Sequence, residues 1–329
     1  TGGIMNEYDT IQQLVAHCPR AEQQLNGPFE SDAELVRLAD GLWAFTTDEF
    51  SAEEDGFTAD DPVALGSNLA VATLHDLLAV GATPAFFLSA LVLPKELPTG
   101  FAKGVASGMA DILATCGCHL LGGDLGQSSG WRFTGTAFGP VVGPACTRQL
   151  TAADCELWIS GPLGDANAAL LSGAPTPRFE LRLELAQALR GHATACIDTS
   201  GGLLDALHML ARVNPRARFV LDVPAIPMAP LVQPVADQAG FPPAAALVAG
   251  AGEYELLFAI RAADSVIRQE LLRLGAVRIG AVQTSDQPGL HLGHAGAPAP
   301  PCPDARLFAT RDAYLAAVVE VGTQLEEAL

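Results

Sequence analysis

Residues 62–80 constrain this chain more than any other stretch. Pro62 follows Asp60-Asp61 and suits the first position of a helix, where a missing N–H costs nothing; Gly81 stops the helix after about five turns. Positions 65, 69, 72 and 76 share one face, which reads Leu65, Leu69, Ala72, Asp76. A carboxylate at the end of an apolar stripe is costly to bury unless it is paired or bound to a metal. Two readings therefore stand for Asp76: a ligand facing a cleft, or a helix-end aspartate turned to solvent.

The rest of the composition says what can surround such a helix. Of 329 residues, 49% are hydrophobic and only 17% are charged, enough apolar material for a large core and for two domains. The 37 acidic and 18 basic side chains leave a formal charge of −19. That balance excludes a grip on a nucleic-acid backbone, which needs clustered Lys and Arg, and a surface for anionic lipid. No apolar run approaches the ~18 residues of a membrane span, and no basic-then-apolar leader opens the sequence. The seven cysteines are scattered without zinc spacing, and Cys116-Gly117-Cys118 reads as small buried residues rather than a redox pair. A reducing, cytoplasmic setting is expected.

Along the chain, Ile11, Leu14 and Val15 mark a short amphipathic helix, broken at Asn26-Gly27-Pro28. Residues 42–47 read as a strand ending at Asp48, followed by an acidic stretch to Asp61 with seven carboxylates and no base. After the Pro62 helix come a strand at 86–93, a helix at 100–114, a short strand at 119–121 entering Gly122-Gly123-Asp124, and a strand at 133–138. The pattern resets near 142–151. A second series follows: strands at 156–160, 195–197, 219–223, 255–260 and 277–282, with helices at 165–172, 178–190, 202–213 and 263–274. Residues 293–303 read as a loop. The plan is α+β, in two domains of similar size, 1–147 and 148–329.

Nucleotide-binding signatures such as the P-loop or GxGxxG are absent. Carboxylates instead sit at the ends of elements: Asp48 after Trp43–Thr47, Asp124 after Leu120–Gly123, Asp198 after Ala195–Ile197, and Asp32 in a loop. A rigid scaffold aims such side chains into a cleft. Several carboxylates on separate elements with few bases nearby suit Mg²⁺, which takes oxygen ligands and bridges to phosphates. Gly122-Gly123 would let a backbone approach a phosphate, although an ordinary glycine turn explains it equally well.

Taken in order, six segments resemble the thiamine-monophosphate kinase family, part of a wider group with aminoimidazole ribonucleotide synthase, selenophosphate synthetase and a hydrogenase-maturation protein. They are 45–48 (Phe-Thr-Thr-Asp), 74–84 (from Leu74-His75-Asp76 to Thr83-Pro84), 120–124 (Leu-Leu-Gly-Gly-Asp), 146–148 (Cys-Thr-Arg), 197–203 (Ile-Asp-Thr-Ser-Gly-Gly-Leu) and 250–256 (Gly-Ala-Gly-Glu-Tyr-Glu-Leu). The resemblance implies a two-domain synthase/kinase fold. Its N-terminal domain would carry ATP and Mg²⁺ and form a dimeric β-barrel core flanked by helices; an α/β C-terminal domain would complete the cleft. It implies metal binding at Asp32, Thr46, Thr47, Asp48, Asp76, Asp124 and Asp198, with Asp48, Asp76 and Asp124 closest to the chemistry. Nucleotide contacts would fall on Gly123, Asp124, Arg148 and Ser200.

Three acidic positions of the family pattern are lost: its aspartate pair is Ser31-Asp32 here, its Asp-x-Ser-Asp-Gly is Asp198–Gly202 with Gly201, and its substrate-side glutamate is Gly252. A substrate-contacting histidine after the first strand has no counterpart near Glu54-Asp55-Gly56-Phe57. Glu49, Glu53, Glu54 or Asp55 could replace lost ligands or form a solvated loop. His75 reads as a packed histidine rather than a base. The function implied is an ATP- and Mg²⁺-dependent phosphotransferase (EC 2.7.4 type, thiamine biosynthesis) acting on a small phosphorylated or polar metabolite as a homodimer. The alternative is a degenerate dimer that binds a nucleotide or metabolite without turnover.

Overall fold

A computed structural model of the chain describes residues 7–51, 60–96, 100–293 and 296–327. The first half runs α1 (Glu7–His17), β1 (Glu34–Leu38), β2 (Gly41–Ser51), α2 (Pro62–Ala79), β3 (Phe86–Pro94), α3 (Phe101–Cys116), β4 (His119–Ser128) and β5 (Arg132–Pro140). The second runs β6 (Cys155–Ile159), α4 (Asp165–Ser172), α5 (Leu183–Leu189), β7 (Ala193–Asp198), α6 (Leu203–Val213), β8 (Ala217–Leu221), α7 (Val232–Ala239), β9 (Leu256–Arg261), α8 (Ser265–Arg273), β10 (Val277–Thr284), β11 (Gly289–Leu292), β12 (Ala297–Pro298) and α9 (Arg311–Glu326). The result is a mixed α/β fold with two mixed sheets. One has the order β1-β2-β5-β3-β4; the other has β12-β11-β8-β10-β6-β9-β7.

The Asp61 carboxylate caps α2 by accepting from the amides of Val63 and Ala64, and Pro62 takes the first turn as expected. Unlike an ordinary amphipathic helix, α2 is buried on nearly every side. One face lies on β2 and β5, another meets α3. There Gly66 and Gly108 let the two backbones touch, since a β-carbon at either would strike a carbonyl of the other helix. Its C-terminal end reaches the second half, where Leu78 and Ala79 share a buried cluster with Trp158, Leu185 and Phe258. So α2 is the rod on which both halves pack.

Three expected boundaries move. The strand carrying Asp48 continues to Ser51, because Asp48, Glu49 and Phe50 pair with Gly135, Thr134 and Phe133 of β5. Gly122-Gly123-Asp124 is not a turn: β4 runs straight through it, parallel to β3, with Leu121 as the extra residue of a bulge. Gly123 is needed for that pairing, as a side chain there would collide with the Ser89 carbonyl. The helix expected over 178–190 is only Leu183–Leu189; the segment before it is extended along α2. Helices α7 and α9 and strands β1, β11 and β12 were not expected at all. Among the described residues the first sheet is open, with β1 and β4 at its edges. Among the described residues no helix is long and apolar enough to cross a membrane.

Candidate functional site

Four elements deliver carboxylates to one place. Asp32 comes from the loop before β1, Asp48 from β2, Asp76 from the last turns of α2, and Asp198 from the end of β7. Carboxylate oxygens of Asp32, Asp76 and Asp198 all lie within 4.8 Å of one another. Asp76 therefore faces this group and not solvent. Asp48 is close enough to raise the proton affinity of both Asp76 and Asp198.

The electrostatics are those of crowded, dehydrated charge. Burial, and then repulsion from Asp198, Asp32 and Asp48, pushes Asp76 well above the usual carboxylate range, although the Thr46 hydroxyl donates to its Oδ2. Burial and Asp32 raise Asp198 to about 7. Asp32 is raised by burial and pulled back by Arg148. The Arg148 Nε and Nη2 donate to Asp32 Oδ1 at 2.6 and 2.5 Å, and Nη1 donates to the Phe29 carbonyl at 3.3 Å. Asp32 Oδ2 accepts the Asp198 N–H at 3.0 Å, so one carboxylate bridges both halves. Asp198 Oδ1 accepts the Ser200 N–H at 3.2 Å, while Oδ2 is buried with no hydrogen-bond partner among the described residues. Four carboxylates and one guanidinium leave a surplus of three negative charges if all are ionised, and an orphaned carboxylate oxygen. A hard divalent cation would offset two of those charges and supply a partner for that oxygen.

Other expected site residues are placed differently. Asp124 is not in the group; it is exposed on edge strand β4, opposite Ala90, with Gly123 beside it. Thr47 points away, its hydroxyl donating to the Gly135 carbonyl at 3.0 Å. Ser200 is exposed on the loop after Asp198. Glu49 is exposed and pairs with Arg132; Glu53, Glu54 and Asp55 lie outside the described residues. His75 is the packed histidine anticipated, held neutral because burial and the Arg182 guanidinium push it down to about 3.

Two of the three departures from the family pattern are filled by other side chains. A β-carbon on Gly201 would lie 2.5 Å from the Asp205 Oδ2, and one on Gly252 would run into the Tyr254 ring and the Ser200 carbonyl. Tyr254 itself has φ = 50° and packs its ring against Phe179 and Phe50, with centroids at 4.8 and 5.7 Å. Beside it, Glu253 accepts the N–H of Asn167, in the first turn of α4, at 3.0 Å. Sequence reading named Glu253 and Glu255 only as part of the 250–256 segment and gave no role to Arg182 or Asn68; for Asn68 the signal available was a polar residue inside an apolar helix.

Glu253 supplies a pH test. Burial raises it to about 8 against the pull of the α4 amides. A carboxyl bound more tightly by protons in the folded chain stabilises fully below its unfolded value, and that stabilisation is lost as pH rises toward 8. Glu253→Gln is expected to flatten the fall in melting temperature between pH 5 and 9; an unchanged slope would refute the assignment.

Comparison with known proteins agrees with this architecture. Residues 30–141 match the family described as AIR synthase related protein, N-terminal domain. A thiamine-monophosphate kinase of Caulobacter vibrioides is 30% identical over 272 residues, covering 77% of this chain and 76% of that one. The chain belongs to the thiamine-monophosphate kinase family. The family's Synechococcus elongatus member is 31% identical over 217 residues, 64% of this chain and 62% of its own length. Among solved structures, AaThiL complexed with AMPPCP and TMP superposes with a TM-score of 0.74 over 90% of this chain and 95% of that one; at 19% identity this is likeness of fold.

Proposed function

We propose that this member of the family is an ATP- and Mg²⁺-dependent phosphotransferase acting on a small phosphorylated or polar metabolite. The observation that carries the reading is the meeting of half-buried Asp32 and Asp76 with buried Asp198 from both halves, with Asp48 beside them and an Asp198 oxygen left without a partner among the described residues. Residues 1–147 and 148–329 are proposed as two domains with the cleft between them. Asp32, Asp48, Asp76 and Asp198 would hold Mg²⁺, which supplies charge neutralisation to a polyphosphate. Arg148 holds Asp32 in place. Thr46 orients Asp76. Ser200 stands beside the cluster on an exposed loop, available to a nucleotide, and Asp124 and Gly123 on the edge strand could reach a polyphosphate extending from it.

A homodimer is part of the proposal. Strand β4 leaves Leu120, Leu121 and Leu125 exposed at 50, 57 and 69%, beside Leu88 of β3. An unpaired, apolar edge is a liability unless something covers it. A second copy meeting this edge would complete the barrel that the first sheet leaves open.

Calorimetry with ATP and Mg²⁺, followed by an ADP-release screen across phosphorylated metabolites, tests the reading. Binding in the micromolar range that requires Mg²⁺, with turnover on at least one acceptor, is the expected result. No binding at millimolar ATP would end it. The filled spaces at Gly201 and Gly252 favour a second reading, a dimer that binds nucleotide without turnover. Tight binding with no ADP release from any acceptor would select that one.

A further inference from the structure

Behind the carboxylates, buried polar side chains tie the two halves together. His75, next to Asp76 on α2, accepts the backbone N–H of Arg182 on its Nε2 at 3.1 Å. The Arg182 fork donates to both oxygens of Glu255, Nε at 2.7 Å and Nη2 at 2.5 Å. Glu255 is bound twice to Thr199: its N–H donates to the Thr199 hydroxyl, and its carbonyl accepts the Thr199 N–H, each at 2.9 Å. Thr199 is the residue after Asp198. The Ser160 hydroxyl donates to the Glu255 carboxylate and accepts the Leu256 N–H at 2.8 Å, fixing the chain to the second sheet. His75 and Thr199 are fully buried, and Glu255 and Ser160 nearly so. The Arg182–Glu255 pair lies so close over Gly161 that a side chain there would displace it.

From the neighbour of Asp76 to the neighbour of Asp198, the path is continuous and uses none of the three carboxylates. A second fastening reinforces it. Asn68, two helical turns before His75, donates to the Pro177 carbonyl at 2.8 Å and accepts the Phe179 N–H at 3.0 Å. Segment 177–182 is thereby held along α2 at two points.

We propose that His75, Arg182, Glu255 and Thr199 form a positioning relay that sets the spacing of Asp76 and Asp198, and with it the affinity of the site for a divalent cation. Asp76 and Asp198 stand on different halves and repel when both are ionised, so their spacing calls for bonds that hold the two halves in register. Octahedral coordination of Mg²⁺ tolerates little misplacement of ligand oxygens. A planar, bidentate Arg–carboxylate contact fixes orientation as well as distance, which a single bond does not. The relay rests on the cation-site reading above and deepens it.

The test uses the full chain, Mn²⁺ alone as probe, and calorimetry well below the melting temperature, with folding checked by circular dichroism. Arg182→Met and His75→Leu are expected to weaken Mn²⁺ binding tenfold or more. His75→Gln, whose amide oxygen can accept the Arg182 N–H, should remain within threefold of wild type. A purely structural role would lower the melting temperature and leave the affinity of the folded variant unchanged, and that result overturns the relay. Should the first two variants not fold, the near-isosteric Thr199→Val decides: wild-type affinity overturns the relay, and a loss of threefold or more supports it. If the wild-type chain itself binds no Mn²⁺, the cation-site reading fails, and the relay falls with it.

Discussion

Asp76→Asn is expected to stabilise the cation-free protein while abolishing its stabilisation by Mg²⁺. The two effects have opposite signs for one reason. In the folded chain the Asp76 carboxylate is buried and faces Asp198, Asp32 and Asp48, so its charge costs free energy whenever it is ionised. The amide is nearly isosteric, keeps an oxygen for the Thr46 hydroxyl, and removes that charge. A rise of a few degrees in melting temperature at pH 8 follows from removing the cost of burying that carboxyl, and then of its repulsion by the neighbouring aspartates. The same change removes an anionic ligand, so millimolar Mg²⁺, which should raise the wild-type melting temperature, should leave that of the variant unmoved. Thermal scans of both proteins with EDTA and with Mg²⁺ measure this directly. A variant less stable than wild type without metal would mean the carboxylate is satisfied within the chain. A variant that still responds to Mg²⁺ would place the cation elsewhere.

Leu121→Lys combined with Leu125→Lys is expected to convert a dimer into a monomer. Each leucine buried at an interface is worth about 1.5–3 kcal/mol and a dimer loses four of them, so the change amounts to roughly four or more orders of magnitude in the dimer dissociation constant before the cost of burying lysine. Both side chains are exposed within one chain, and the substitutions remove no intrachain core contact. The monomer should therefore stay folded. Sedimentation velocity at ten micromolar separates the outcomes. A wild-type chain that sediments as a monomer would refute β4 as a self-association edge, as would a double variant that remains dimeric.

The contrast between these residues shows what was legible in sequence. Pro62, Asp61 and Gly81 announce α2 because capping and the geometry of proline and glycine act within a few residues. Strand β7 and the aspartate at its end were visible for a similar reason, a short apolar run ending in a polar loop. By contrast, Gly122-Gly123-Asp124 read equally well as a backbone approach to phosphate or as a glycine turn. It became a strand through contact with β3, where Gly123 makes room for the Ser89 carbonyl. Asp124 looked equivalent to Asp76 in the linear pattern, yet the fold leaves it exposed on an edge. Arg148 read as a cation for a nucleotide phosphate, and in the structure its guanidinium is engaged with Asp32, 116 residues away.

The sequence by itself determined the family, the order of the main helices and strands and the set of carboxylates from which a site could be made. Those properties follow from local patterns: periodicity, caps, and residue types at fixed spacing. Which carboxylates meet was decided by tertiary structure alone. The grouping of Asp32, Asp76 and Asp198 depends on packing the second half against the end of α2 and on the buried bonds through His75, Arg182, Glu255 and Thr199. Repulsion between like charges opposes that grouping whenever they are ionised, and the burial of apolar surface together with these polar bonds holds it together.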